Sequence, residues 1–148
     1  MECGHAKNGS MKDMEDCIFC KIALGEIPAE KVYETPEVLA FLDIRPNNPG
    51  HTLVIPKKHY KNVLDIPEDL WISVMKAAHT LAPVIKKSMN ADGINITTNN
   101  EAAAHQVVLH SHVHIIPRFI GDPHQPWVGT PYKDGEAEKV AEKIKAAL

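Results

Sequence analysis

A chain of 148 residues, 44% apolar and 24% charged, has the size and composition of one globular domain with a full hydrophobic core. A formal net charge of −3 excludes a protein built to ride the nucleic-acid backbone, and no apolar run approaches the roughly 18 residues of a membrane span. Three cysteines are too few for a secreted disulfide scaffold, whereas nine histidines stand out.

Residues 1–14 are polar and aperiodic and read as a flexible tail, with Cys3 a free thiol, ahead of a single domain over 15–148. No apolar segment of the signal-peptide kind opens the chain, so a cytoplasmic protein is expected. Ile18, Phe19, Ile22 and Leu24 suit a short helix over 17–24, ended by Gly25. Apolar runs at 31–34 and 38–43, joined by Thr35-Pro36-Glu37, read as a hairpin. The Pro, Asn and Gly of 45–50 mark a loop that leads into a third strand over 51–55, closed by Pro56. Asp65 with Glu68 resembles a capping box, and Pro67 fits a first helical turn. Leu70, Val74, Ala77, Leu81, Ile85 and Met89 then form one apolar helical stripe, with a bend expected at Pro83 and an end at Gly93. Strands follow over 94–98 and 106–117, separated by the loop 99–105. A short amphipathic helix over 134–148 carries Ala137, Val140, Ile144 and Leu148. Strands that outnumber helices and follow one another closely predict an antiparallel sheet with helices packed on it, an α+β domain.

The densest chemistry lies in His110-Ser111-His112-Val113-His114-Ile115-Ile116. Side chains alternate along a strand, so Gln106, Val108, His110, His112 and His114 share one face, while Val107, Leu109, Val113 and Ile115 face a core. Neutral imidazole is abundant near pH 7 and can attack phosphorus, provided an acceptor holds the proton on the other ring nitrogen. By pattern alone such a row can equally be a metal clamp or a surface patch. Cys17 and Cys20 have the spacing of a zinc half-site, which two buried thiols on a helix also satisfy. His5, His79 and His124 are assigned to surface or packing positions.

The run 110–116 resembles the His-φ-His-φ-His-φ-φ signature of the histidine-triad (HIT) family of nucleotide hydrolases and transferases. Asp16-Cys17-Ile18-Phe19-Cys20-Lys21-Ile22, Phe41-Leu42-Asp43-Ile44, the run 49–57 and Asp92-Gly93-Ile94-Asn95 resemble its other landmarks, so the likeness spans about 16–118. It implies a five-stranded antiparallel sheet with flanking helices, paired into a ten-stranded sheet in a homodimer, with Trp127 and the C-terminal segment near the partner's site. His112 would be the nucleophile, His114 the donor to the phosphate, and His51 the outlying fourth histidine. Asp43 would accept hydrogen bonds from the ribose hydroxyls of a purine nucleotide. Ile18, Phe19, Phe41 and Ile44 would flank the base, Asn99 would line the phosphate site, and Gln106 would also bind the nucleotide. His59 and His110 would complete a structural zinc site with Cys17 and Cys20. The implied activity is hydrolysis at the α-phosphorus, foremost of nucleoside 5′-phosphoramidates. A dinucleoside polyphosphate hydrolase or a nucleotide-binding regulatory module is the alternative. Three positions depart from the family pattern: His105 stands at a common glycine, Val107 at a common Ser or Thr, and Ser111 at an apolar position.

Overall fold

The computed structural model describes residues 11–148. Cys3, His5 and the first ten residues of the polar segment lie outside the described residues. The elements run α1 (Met11–Glu15), α2 (Ile18–Ala23), β1 (Lys31–Glu34), β2 (Val38–Leu42), β3 (Thr52–Pro56), α3 (Glu68–Ser88), β4 (Gly93–Thr97), β5 (Val113–Arg118) and α4 (Glu136–Ala146). Every strand pairing is antiparallel, and the sheet order is β1-β2-β3-β5-β4. The expected α+β domain with five antiparallel strands is therefore the observed one.

Period-two alternation sorts the central strands onto two covered faces. Val38 and Ala40 of β2, Val54 of β3, and Val113 and Ile115 of β5 pack against Val74, Ala77, Ala78, Leu81 and Ile85 of α3. Leu39, Phe41, Leu53 and Ile55 point the other way and meet Cys17, Phe19, Cys20 and Ile22 around α2. Each such aliphatic side chain, once fully buried, contributes roughly 1.5–3 kcal/mol. Two apolar layers thus hold β3 and β5 rigidly in register, with Leu53 opposite His114 and Thr52 opposite Ile115.

The ends of α3 differ from expectation. Asp65 forms no capping box; its carboxylate accepts from the amides of Lys61 (3.1 Å) and Asn62 (2.9 Å), and Pro67 takes the N-cap position without a side-chain bond. The helix continues through Pro83, an exposed residue whose missing N–H therefore leaves an unpaired carbonyl on the solvent side. It closes at Met89, with Asn90 in the left-handed region at φ 52°, while Gly93 begins β4. Asparagine tolerates that conformation better than other non-glycine residues, so it replaces the expected glycine stop.

The last strand also begins later than the alternation suggested. Pairing starts at Val113, and residues 106–112 form an irregular approach to it, bent over 108–110. Val107 is 88% exposed and Leu109 is exposed as well, so neither enters the core as expected; Val113 and Ile115 do. Helix α4 forms over 136–146 with no buried residue.

Candidate active site

The histidine row enters β5 from the loop 98–112, and that loop is held by side-chain amides. Gln106 is buried and uses all four of its hydrogen-bonding positions. Its Nε2 donates to the carbonyls of Lys61 (2.6 Å) and Val108 (3.1 Å), and its Oε1 accepts from Asn62 Nδ2 (3.0 Å) and the Glu101 amide (2.9 Å). Thr98 Oγ1 donates to the His112 carbonyl at 2.9 Å. Within this brace His105 sits at φ 65°, a left-handed conformation that explains why glycine suits the position.

Beyond the loop, on the α2 face of the sheet, opens a cavity of about 520 Å³. Ile18, Phe19, Phe41, Asp43, Ile44, Asn99, His112 and His114, residues the resemblance singled out, all line it. Ile44 is on the rim, 88% exposed. Phe19 stands edge-on to Phe41 (5.5 Å between centroids, 72°) and to His112 (5.2 Å, 85°). Ile27, Pro28 and Ala29 extend the apolar wall, a contribution from the segment before β1 that carries no motif. Val107, where a hydroxyl was the pattern, gives the wall an apolar side chain. Gln106 is not among the lining residues, and its side-chain amide is engaged behind the wall. His51 stands behind His114 rather than in the wall.

Backbone partners determine the ring protons of the row, because a carbonyl only accepts and an amide N–H only donates. His112 Nδ1 lies 2.6 Å from the His110 carbonyl and donates to it, which leaves the lone pair on Nε2. The Asn47 amide donates to His51 Nδ1 (3.1 Å), so the His51 proton is on Nε2. That Nε2–H donates to His114 Nδ1 at 2.9 Å, and the His114 proton is on Nε2. These assignments require neutral rings. Burial, the largest effect, pushes His112 and His51 below the ordinary imidazole range. Burial together with His112 and His51 pushes His114 down to about 4. A row with one bare nitrogen and one N–H donor facing a shared cavity can attack an electrophile and stabilise the charge that develops.

Asp43 Oδ2, His51 Nε2 and His114 Nδ1 form one of two groups among the described residues close enough to hold a metal ion. The Asn47 amide argues against that use, because it keeps the proton on the His51 nitrogen a cation would need. The second group is Cys17, Cys20, His59 and His110, all buried, with donor atoms within 4.8 Å of one another. Here the proton is on the favourable side. His110 Nε2–H donates to the Pro56 carbonyl (2.8 Å) and turns a bare Nδ1 toward Cys17 Sγ (3.4 Å) and Cys20 Sγ (3.5 Å). His59 Nδ1 lies 3.3 Å from Cys20 Sγ. Bonds of about 2.3 Å to sulfur and 2.0–2.1 Å to nitrogen in a tetrahedron put such pairs about 3.6 Å apart, so the four residues fit zinc closely. Hydrogen bonding, first with Cys20 and then with His110 and His59, holds the Cys17 thiol far below its ordinary range, as a metal-ligating thiolate requires.

The profile of the HIT domain matches residues 24–121. An uncharacterized HIT-like protein of Methanocaldococcus jannaschii is 50% identical over 124 residues, which are 84% of this chain and 91% of that one. An adenosine 5′-monophosphoramidase of Saccharomyces cerevisiae is 40% identical over 132 residues, 89% of this chain and 80% of the yeast protein. Among solved structures, a protein of Streptococcus mutans has a TM-score of 0.87 at 41% identity, covering 97% of this chain and 90% of its own. A Zn-bound histidine triad family protein from Mycobacterium smegmatis has a TM-score of 0.72 at 33% identity, covering 91% and 99%.

Proposed function

Because the chain belongs to the HIT domain family, we propose that it hydrolyses nucleotide derivatives at the α-phosphorus, with nucleoside 5′-phosphoramidates as the favoured substrates. One observation carries this reading: His112 Nδ1–H is tied to a backbone carbonyl at 2.6 Å, which bares Nε2 beside an apolar cavity that also holds Asp43. The base lies between Ile18, Phe19, Phe41 and Ile44, and the ribose hydroxyls donate to Asp43. His112 Nε2 attacks phosphorus in line. A P–N bond to the imidazole forms as the bond to the leaving amine breaks, and the amine departs with a proton drawn from solvent, which the water of the second step returns. His114 Nε2–H donates to a phosphoryl oxygen, with Asn99 beside it, and His51 keeps His114 in that tautomer. A donor of this kind contributes about 3 kcal/mol to the transition state. Water then cleaves the P–N bond and releases the nucleoside monophosphate. The relative in S. cerevisiae, a phosphoramidase, supports this substrate class over dinucleoside polyphosphates.

Zinc on Cys17, Cys20, His59 and His110 belongs to the same reading. It would supply cross-linking rather than chemistry, tying the start of α2 to the segment that presents the His110 carbonyl to His112. A homodimer that continues the sheet to ten strands fits an edge strand, β4, whose Asn95, Ile96 and Thr97 are exposed. In the absence of any helix long and apolar enough to cross a membrane among the described residues, a cytoplasmic setting is part of the proposal.

Steady-state hydrolysis of adenosine 5′-phosphoramidate and of a dinucleoside tetraphosphate, by this protein and by His112→Asn, tests the reading. Turnover of the phosphoramidate that vanishes in the variant, while adenosine monophosphate still binds, is the expected result. Nucleotide binding by both proteins without turnover of either substrate would replace the enzyme with a nucleotide-binding regulatory module.

A further inference from the structure

The loop 45–50 between β2 and β3 reaches the His51 ring through the Asn47 peptide N–H, and that residue has a support of its own. Asn47 donates its amide to His51 Nδ1 at 3.1 Å, while its carbonyl accepts from His124 Nε2 at 2.7 Å. Residue 47 is thus gripped on both sides. His124 is held in turn: its amide donates to Asp122 Oδ1 (3.2 Å), and its carbonyl accepts from Arg118 Nη2 (2.8 Å). Arg118 and Asp122 are locked to each other at 2.7 and 2.8 Å, and Asp122 also receives Asn48 Nδ2 at 3.1 Å. Asn48 Nδ2 further donates to the Pro117 carbonyl at 2.8 Å. The strand that carries His114 therefore ends in an ion pair that returns, through His124 and the 47–48 loop, to the far nitrogen of His114.

We propose that His124 is a positioning residue: by clamping Asn47 it keeps the His51 Nε2–H on His114 and so holds His114 as an Nε2–H donor toward the cavity. A competitor makes the clamp necessary. Asp43 Oδ2 lies 3.7 Å from His51 Nε2, too far for a hydrogen bond, yet a carboxylate is a stronger acceptor than a neutral imidazole. Geometry alone keeps the His51 N–H aimed at His114. Without the His124 side chain, the Asn47 carbonyl turns to water and its amide loses its aim. The His51 ring then rotates toward Asp43, and His114 Nδ1, no longer receiving a proton donor, exchanges between tautomers. The activity consequence rests on the hydrolase reading above; the tautomer consequence does not.

Long-range ¹H–¹⁵N NMR of the protein as purified, with His124→Ala and His124→Gln, reads the ring protons directly. His51 and His114 are expected as single Nε2–H tautomers in the wild type and in His124→Gln, whose amide can still donate to Asn47. In His124→Ala His114 should show tautomer-averaged shifts and the His51 Nε2–H should move as it turns to Asp43, while the remaining amide spectrum keeps its folded dispersion. Phosphoramidate turnover should fall about tenfold in the alanine variant, the size typical of losing a partner that orients an active-site histidine, with KM little changed and kcat restored by glutamine. Unaltered tautomers in His124→Ala, or equal losses in the glutamine and alanine variants, would overturn the proposal. A wild type with the expected tautomers but no turnover would overturn the hydrolase reading and leave the clamp standing.

Discussion

Replacing Gln106 by alanine separates a structural brace from a ligand contact, and the structure predicts which of the two it is. The substitution removes four hydrogen bonds at once, to Lys61, Val108, Asn62 and Glu101. At a net worth of about 1 kcal/mol each the sum is about 4 kcal/mol. Lys61 is exposed and Glu101 half-buried, so water recovers part of the loss and about 3 kcal/mol remains. Urea denaturation followed by circular dichroism should show that loss as a lower midpoint with an unchanged slope. Nucleotide affinity, measured at low temperature on the folded fraction, should fall only modestly, because the side chain is not in the cavity wall. A fully folded variant less than about 1 kcal/mol destabilised, but with adenosine monophosphate affinity down more than tenfold, would show that Gln106 serves the ligand and would refute the argument.

Acid should weaken the fold through the row itself. Folded His114 is held at about 4, against 6.5 for an unperturbed imidazole, so between those pH values the unfolded chain binds more protons. Stability is then complete above about pH 6.5 and declines as pH falls toward 4; a denaturation midpoint that rises on acidification would contradict the burial of neutral rings. Gly50, at φ 95°, has no room for a side chain, since an added Cβ would lie 2.6 Å from Met89 Cγ and 3.3 Å from Pro117 Cγ. Gly50→Ala should cost about 2–3 kcal/mol, from left-handed strain and a displaced Met89, and an unchanged unfolding midpoint would show that the loop relaxes freely. Elemental analysis should find one zinc per chain, and chelation or Cys17→Ser should lower the melting temperature; metal-free protein indifferent to chelator would remove zinc from the site.

Much of the site was legible in the sequence because its signals are local. Alternate histidines at 110, 112 and 114 dictate a common side, and the Cys17–Cys20 spacing places two sulfurs on one turn. The apolar alternation of β2, β3 and β5 identifies two covered faces, whatever lies against them. Residues 106–109 misled for the same reason. Their alternation looks like a strand, but β3 pairs with β5 only from Val113, so Val107 and Leu109 have no layer to enter.

Residue type and spacing therefore determined the fold class, the shared side of the histidines and the Cys17–Cys20 pair. The family resemblance implied the nucleotide-site residues and the other two ligand candidates, His59 and His110. Tertiary structure alone decided which nitrogen of each histidine carries its proton. It also decided that Gln106 braces the loop and that His124, which carries no motif, supports residue 47. These outcomes depend on partners distant in sequence, such as Pro56 with His110 and Asn47 with His124. A polar side chain's role is set by the one donor or acceptor that the folded chain brings within about 3 Å, and no local pattern encodes that distance.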